Sequence, residues 1–187
     1  MVFNHDTEVS LEAAAALVNT LRGTSTDDID TLQTVAELDR FLDARPYTGR
    51  LDRDTDELAA VRSIRDRIHA FWAADRDGAV PLVNAMLRDG SALPQLVSHA
   101  GSEQWHIHAT GDDAPLHTRI LVETAMAMID VIRADEYDRL RTCDAEDCLS
   151  VYVDFSRNKS KRYCDTGNCG NRMNVNAYRR RKATETA

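Results

Sequence analysis

The residues best suited to chemistry in this 187-residue chain are Cys143, Cys148, Cys164 and Cys169, and they are all the cysteines it has. They lie in CDAEDCLSVYVDFSRNKSKRYCDTGNC with the spacing C-x4-C-x15-C-x4-C: two equal pairs separated by a segment long enough for one hairpin. Four thiolates suit a tetrahedral zinc ion, and a four-cysteine shell leaves no open coordination position, so such a metal builds structure and performs no catalysis. Disulfides or a redox pair are the competing readings; both are rarer than metal binding for closely paired cysteines in a reducing compartment. The expected cofactor is one structural Zn2+ on Cys143, Cys148, Cys164 and Cys169.

The surroundings of these cysteines carry charge of one sign. The chain as a whole has a net charge of -8, yet between Arg157 and Lys182 there are nine basic residues and a single acid, Asp165. An acidic body with a basic end calls for a polyanion at that end. Each duplex phosphate neutralised by a rigid cation releases condensed counterions, so double-stranded DNA is the expected partner. The candidate nucleic-acid-binding residues are Arg157, Lys159, Lys161 and Arg162 around the turn, and Arg172, Arg179, Arg180, Arg181 and Lys182 on the segment that follows. Arg reads guanine and Asn reads adenine by paired hydrogen bonds, which makes Arg172, Asn174 and Asn176 candidate base readers. RNA is disfavoured by the shortage of stacking aromatics beyond Tyr163 and Tyr178.

These groups need a frame. Leu149 to Phe155 suits a strand, Ser156 to Ser160 a polar turn, and Lys161 to Tyr163 a return to Cys164. The run after Cys169 reads as a helix, with Met173 and Ala177 spaced four apart. About 45 residues bury too little apolar surface to fold alone, so the ion is needed for folding.

Residues 1–138 read as a helical body. Ser10 is the expected N-cap of a first helix carrying Ala13, Leu17 and Leu21, with Gly23 as its stop. Asp30 is expected to cap a second helix carrying Leu32, Val35, Leu38 and Leu42, with Pro46 beyond its end. Asp54 and Glu57 resemble a capping box opening a third, whose Leu58, Val61, Ile64, Ile68 and Trp72 share one face before Gly78. A short helix follows Pro81 and ends at Gly90; Gln95–His99 and Gln104–Thr110 then form a hairpin about Ala100, Gly101 and Ser102. Pro115 opens a long helix bearing Ile120, Thr124, Ala127 and Val131, continued by a helical turn at Asp135–Leu140 into Cys143. No run of 18 apolar residues exists, and MVFNHDTEVS lacks the regions of a secretory signal, so the cytoplasm is the expected location.

CGNR at Cys169 to Arg172, behind cysteines at this spacing and ahead of an arginine-rich segment, resembles the CGNR zinc-finger family of bacterial regulators. ALVNTLRG at Ala16–Gly23 and DTLQTVAELDRFL after it resemble the helical ABATE domain that precedes such fingers and is grouped with stress-induced transcription regulators. In the finger, Asp154, Ser156 and Asn158 match the family's Asp-x-Ser-x-Asn turn. The resemblance covers nearly the whole chain. It implies an α+β, mostly α, fold: an ABATE-like helical domain with a β-hairpin at 1–138, then a treble-clef-like zinc finger with a basic helix at 139–187.

The expectation is a DNA-binding transcription regulator whose N-terminal domain binds a small-molecule effector or makes a homodimer. The alternative is a protein-interaction or ligand-binding protein whose finger is structural only. Several features have blander readings. Arg179–Lys182 can be a solvated chain end, Arg172 can brace the turn at the metal, and Gly170 and Asn171 can serve that turn's backbone. His106 and His108 share a strand face with no third ligand, and Asn19 and Thr20, which could line a ligand pocket, are explained more simply by helix-end hydrogen bonding. No P-loop, G-x-S-x-G or H-E-x-x-H pattern occurs, so no enzyme and no catalytic residue are expected.

Overall fold

Helix α1 (His5–Val18) is rich in alanine, the strongest helix former, and begins where Asn4 Oδ1 accepts the Thr7 amide at 2.8 Å. The structure, a computed structural model, describes residues 2–24, 28–45, 47–98 and 105–185. The cap therefore stands six residues before Ser10, because an Asn at that position satisfies the end amides and acidic Asp6 and Glu8 complement the dipole. The helix stops at Val18, with Asn19 as C-cap, ahead of Gly23.

Thr34, and not Asp30, caps α2 (Val35–Asp43): Thr34 and Glu37 form a reciprocal capping box. Asp30 has another task, taking both arms of the buried Arg65 guanidinium at 2.9 Å. Pro46 lies outside the described residues. The third expected helix is two, α3 (Thr55–Ser63) and α4 (Arg65–Ala73), divided at Ile64, where Arg65 Nε turns back onto the Arg62 carbonyl. Its stripe persists across the break, with Leu58, Val61, Ile64 and Ile68 buried. Glu57 accepts the amides of Asp52 and Arg53 and not that of Asp54, so only half of the expected box forms.

Helix α5 (Arg76–Asp89) starts earlier than Pro81 because Asp75 accepts the Gly78 amide at 2.7 Å. Gly78 is thus the capped position of a helix and not the end of one. Pro81 sits inside, and burial of Ala79, Val83 and Met86 sustains the helix around it. Strands β1 (Gln95–Val97) and β2 (His106–His108) pair antiparallel with Leu96 opposite Ile107. The turn assigned to Ala100, Gly101 and Ser102 lies outside the described residues. Leu96, Trp105 and Ile107 are exposed, whereas His106 and His108 are half-buried, so the histidine face is the one turned inward.

Helix α6 (Leu116–Arg133) is the central element, with α1 and α5 packed along it. Thr7 fastens α1 to it by donating to Asp130. The helical turn expected at Asp135–Leu140 is present as a 3-10 turn, Tyr137–Arg139, set off from α6 by Asp135 at φ 57. Among the described residues no helix is long and apolar enough to cross a membrane.

Strand β3 (Leu140–Thr142) then pairs antiparallel with β4 (Val151–Val153). The hairpin thus uses the segment before Cys143, not the expected return at Lys161–Tyr163. Asp154 explains the change: its buried carboxylate accepts the amides of Ser156 and Lys161 at 2.8 and 2.9 Å, curling the chain away from β4. The returning segment is held by single bonds, Asp144 N–H to Arg162 O and Tyr152 O–H to Lys161 O. Helix α7 (Cys169–Glu185) is the last element among the described residues. The architecture is α+β and mostly α, as expected, with two small antiparallel hairpins among the described residues.

Candidate metal centre and its basic helix

Cys143 follows β3, Cys148 precedes β4, Cys164 ends the returning segment, and Cys169 opens α7. All four are buried and free of disulfides, and their sulfurs lie within 4.8 Å of one another. Cys164 Sγ is 3.7 Å from the sulfurs of both Cys148 and Cys169. A tetrahedral ion with metal–sulfur bonds of about 2.3 Å has sulfur–sulfur edges of about 3.8 Å, so the donor set fits a metal of zinc's size. None of the four sulfurs is joined in a disulfide.

Backbone amides are aimed at the thiolates. Cys143 Sγ accepts from the Cys164 amide at 3.4 Å and is also approached by that of Ala145; Thr166 and Gly167 supply the amides at Cys164. A Cβ on Gly167 would stand 3.2 Å from Cys169 Sγ, so this glycine makes room at the metal. Gly170 has a helical backbone and space for a Cβ, so it uses no conformation reserved to glycine; the left-handed residue of this turn is Asn168, at φ 51.

Burial pushes the Cys143 thiol up to about 12, against the amides of Cys164 and Ala145. Burial also raises Cys164, but the amides of Gly167 and Thr166 outweigh it and bring that thiol down to about 7. Burial raises Cys169 as well, opposed by Arg172. Cys143 and Cys169 therefore hold protons at neutral pH that the metal must displace. Acidification adds competing protons, so affinity falls as pH falls, by about tenfold per unit for each thiol that takes up a proton over that range. Competition with a chromophoric chelator at pH 8, 7 and 6 measures that slope.

Arg172 is claimed by the centre. Its guanidinium forms a paired bridge to Asp147, between the first two cysteines, with Nη2 at 3.0 Å from Oδ1, and donates to Cys169 Sγ at 3.2 Å. Of its two candidate roles, the geometry gives it the bracing one, and it ties the first knuckle to α7.

Three other basic residues pair with nearby acids. Lys159 pairs with Glu136 and Asp138, Lys161 with Asp165, and Arg162 with Asp144. Such exposed pairs are worth about 0–1 kcal/mol, so a phosphate can displace the acids, but the field near the turn is weaker than a count of cations implies. Arg157, Arg179, Arg180, Arg181 and Lys182 are exposed, the last four along α7. Asn174 and Asn176 are exposed on the same helix.

Sequence reasoning assigned Asn19 to helix-end hydrogen bonding and passed over the other residues that hold this module to the body. Asn19 Nδ2 donates to Val151 O and its Oδ1 accepts Val151 N–H, both at 2.8 Å and both buried, so one side chain pairs β4 as a neighbouring strand would. Ser150 Oγ donates to Thr24 O at 2.6 Å, and Trp72 Nε1 donates to Tyr152 O at 3.1 Å. Val151 and Val153 join the core of α1–α6. Arg139 is buried and spans the junction at residue 139, donating to the carbonyls of Asp154 and Ser156. An Asn directly after a buried helix face was the available signal for the Asn19 clamp. Thr20, by contrast, makes the expected helix-end bond to Leu17 O.

Comparison with known families matches residues 139–182 to the CGNR zinc finger and residues 11–135 to ABATE, described as "Putative stress-induced transcription regulator". No curated protein gives a significant match. With metal-ligand geometry in the C-terminal segment and the N-terminal match spanning most of the chain, this protein belongs to the ABATE family and carries a CGNR zinc finger.

Proposed function

We propose that the chain is a non-enzymatic cytoplasmic regulator that binds double-stranded DNA through a module folded around Zn2+ on Cys143, Cys148, Cys164 and Cys169. The observation that supports this most is the surface of α7. Asn174 to Lys182 is exposed at every position, including Val175 and Tyr178, over about 13 Å of helix. A helix with no buried stripe gains little from its own protein and is suited to meeting another molecule. Four consecutive cations, Arg179–Lys182, make an anionic surface the natural complement. The ion fixes where this helix points, since Cys169 begins it and Arg172 braces its first turn.

Phosphate contact is assigned to Arg157 and Arg179–Lys182, with Lys161 and Arg162 joining by exchange of their acidic partners. Asn174 and Asn176 remain the candidate base readers, since the fork of Arg172 is occupied. A homodimer would present two such helices to a palindromic site.

The test is a salt titration of duplex binding by the metal-loaded full chain and by a variant with Arg179, Arg180 and Arg181 changed to Gln and Lys182 changed to Gln. The wild type is expected to bind with a steep slope of log affinity on log salt, and the variant to lose about 3.6 from that slope, about 0.9 for each of its lost cations. Equal slopes would mean that Arg179–Lys182 touches no phosphate, and negligible binding of both at low salt would favour a finger that serves structure alone.

A further inference from the structure

Between α1, the end of α2 and the metal module lies a cleft of about 440 Å3. That is within the range of small-molecule sites, roughly 300–1,000 Å3. Its apolar wall comes from both halves of the chain: Ala13 and Ala16 of α1 face Val153 and Phe155 of the metal module. The alanines create the space, because larger side chains on that face of α1 would reach the module and fill it.

Charge on the lining is uneven in its solvation. Lys161 and Asp165 neutralise each other, and Glu12 is an exposed side chain whose charge is hydrated. Arg45 is different. It is half-buried, lies 3.9 Å over the Phe41 ring and donates one N–H to Phe41 O, and among the described residues no carboxylate pairs with it. Burial lowers its pKa, the mark of a cation short of compensation. A partly desolvated guanidinium attracts an anion more strongly than a hydrated carboxylate repels one.

We propose that this cleft binds a small organic anion, an apolar ring or chain lying between α1 and the metal module with its carboxylate on Arg45. Such a ligand touches both halves, so a difference in its affinity between DNA-bound and free protein would couple the cleft to the finger. That coupling rests on the DNA-binding reading; capture of the ligand does not, and is measured without DNA.

The probe is 2-naphthoate, with neutral 2-naphthamide as its size-matched control, titrated into the metal-loaded full chain and followed by amide NMR shifts. Naphthoate is expected to give saturable shifts at Ala16, Val153 and Phe155, with an affinity about tenfold above that of naphthamide. Arg45→Gln should abolish this difference, and Ala16→Met, which keeps the charge and fills the space, should weaken both probes. If Arg45→Gln fails to fold, Ala16→Met decides. Equal affinities for the two probes, indifference to Ala16→Met, or shifts scattered away from the cleft would overturn the proposal. Saturable naphthoate binding in a protein that ignores DNA would leave the cleft standing and remove only the coupling.

Discussion

Chelating the metal out of the folded protein is expected to melt the C-terminal module and to weaken the body beneath it. The module has a small cluster of its own, built largely from the four cysteines and Tyr152, with Tyr163 and Met173 against it. Structural zinc contributes on the order of 10 kcal/mol to such modules, more than a cluster of this size can replace. Val151 and Val153 belong to the body's core, and burial of each contributes about 2 kcal/mol, so their departure should cost α1–α6 up to about 4 kcal/mol. Circular dichroism should report loss of α7, and Trp72 fluorescence should shift as its indole loses the Tyr152 carbonyl. Cys143→Ser should behave like the chelated protein. A metal-free chain that keeps α7 and an unchanged melting temperature would contradict this.

The second large effect is expected from one uncharged side chain. In Asn19→Leu the amide and carbonyl of Val151 lose their partner while staying buried, at about 1–3 kcal/mol each. Denaturant unfolding should show a loss of about 4 kcal/mol even with metal saturating. The metal ligands are untouched, so the affinity of the centre should change far less than stability does. A loss below 1 kcal/mol would mean that β4 does not depend on the clamp.

The two effects share a cause. The module does not hang from the body as a tail: β4 is at once the arm between two metal knuckles and the strand that covers α1. Ser150 joins these roles over a few ångströms, its hydroxyl on Thr24 O and 3.3 Å from Cys148 Sγ. The ion and the body therefore position α7 together.

What the sequence revealed followed from spacing. Cysteines at C-x4-C-x15-C-x4-C define a closed donor set whatever the path between them, and the chain does bring all four together. Apolar stripes likewise located the helices, because burial every third or fourth residue leaves its period in the sequence. Helix starts were less legible. Asn4 and Ser10 are both competent caps, as are Thr34 and Asp30, and the choice lies in partners far along the chain: Asp130 for the first turn of α1, Arg65 for Asp30. The pairing of β4 was misread for the same reason. The polar turn at Ser156–Ser160 suggested a return at Lys161–Tyr163, whereas the buried Asp154 carboxylate turns that segment aside and leaves β3 as the partner. The charge count around Arg157–Lys182 overstated the basic surface, since Asp138, Asp144 and Asp147 approach from outside that window.

The most direct test of the account is zinc K-edge absorption on protein purified without added metal, together with its metal content. One zinc per chain surrounded by four sulfurs at about 2.3 Å is the predicted result. A shell containing nitrogen or oxygen donors, a substoichiometric ion, or cysteines joined as disulfides would contradict it.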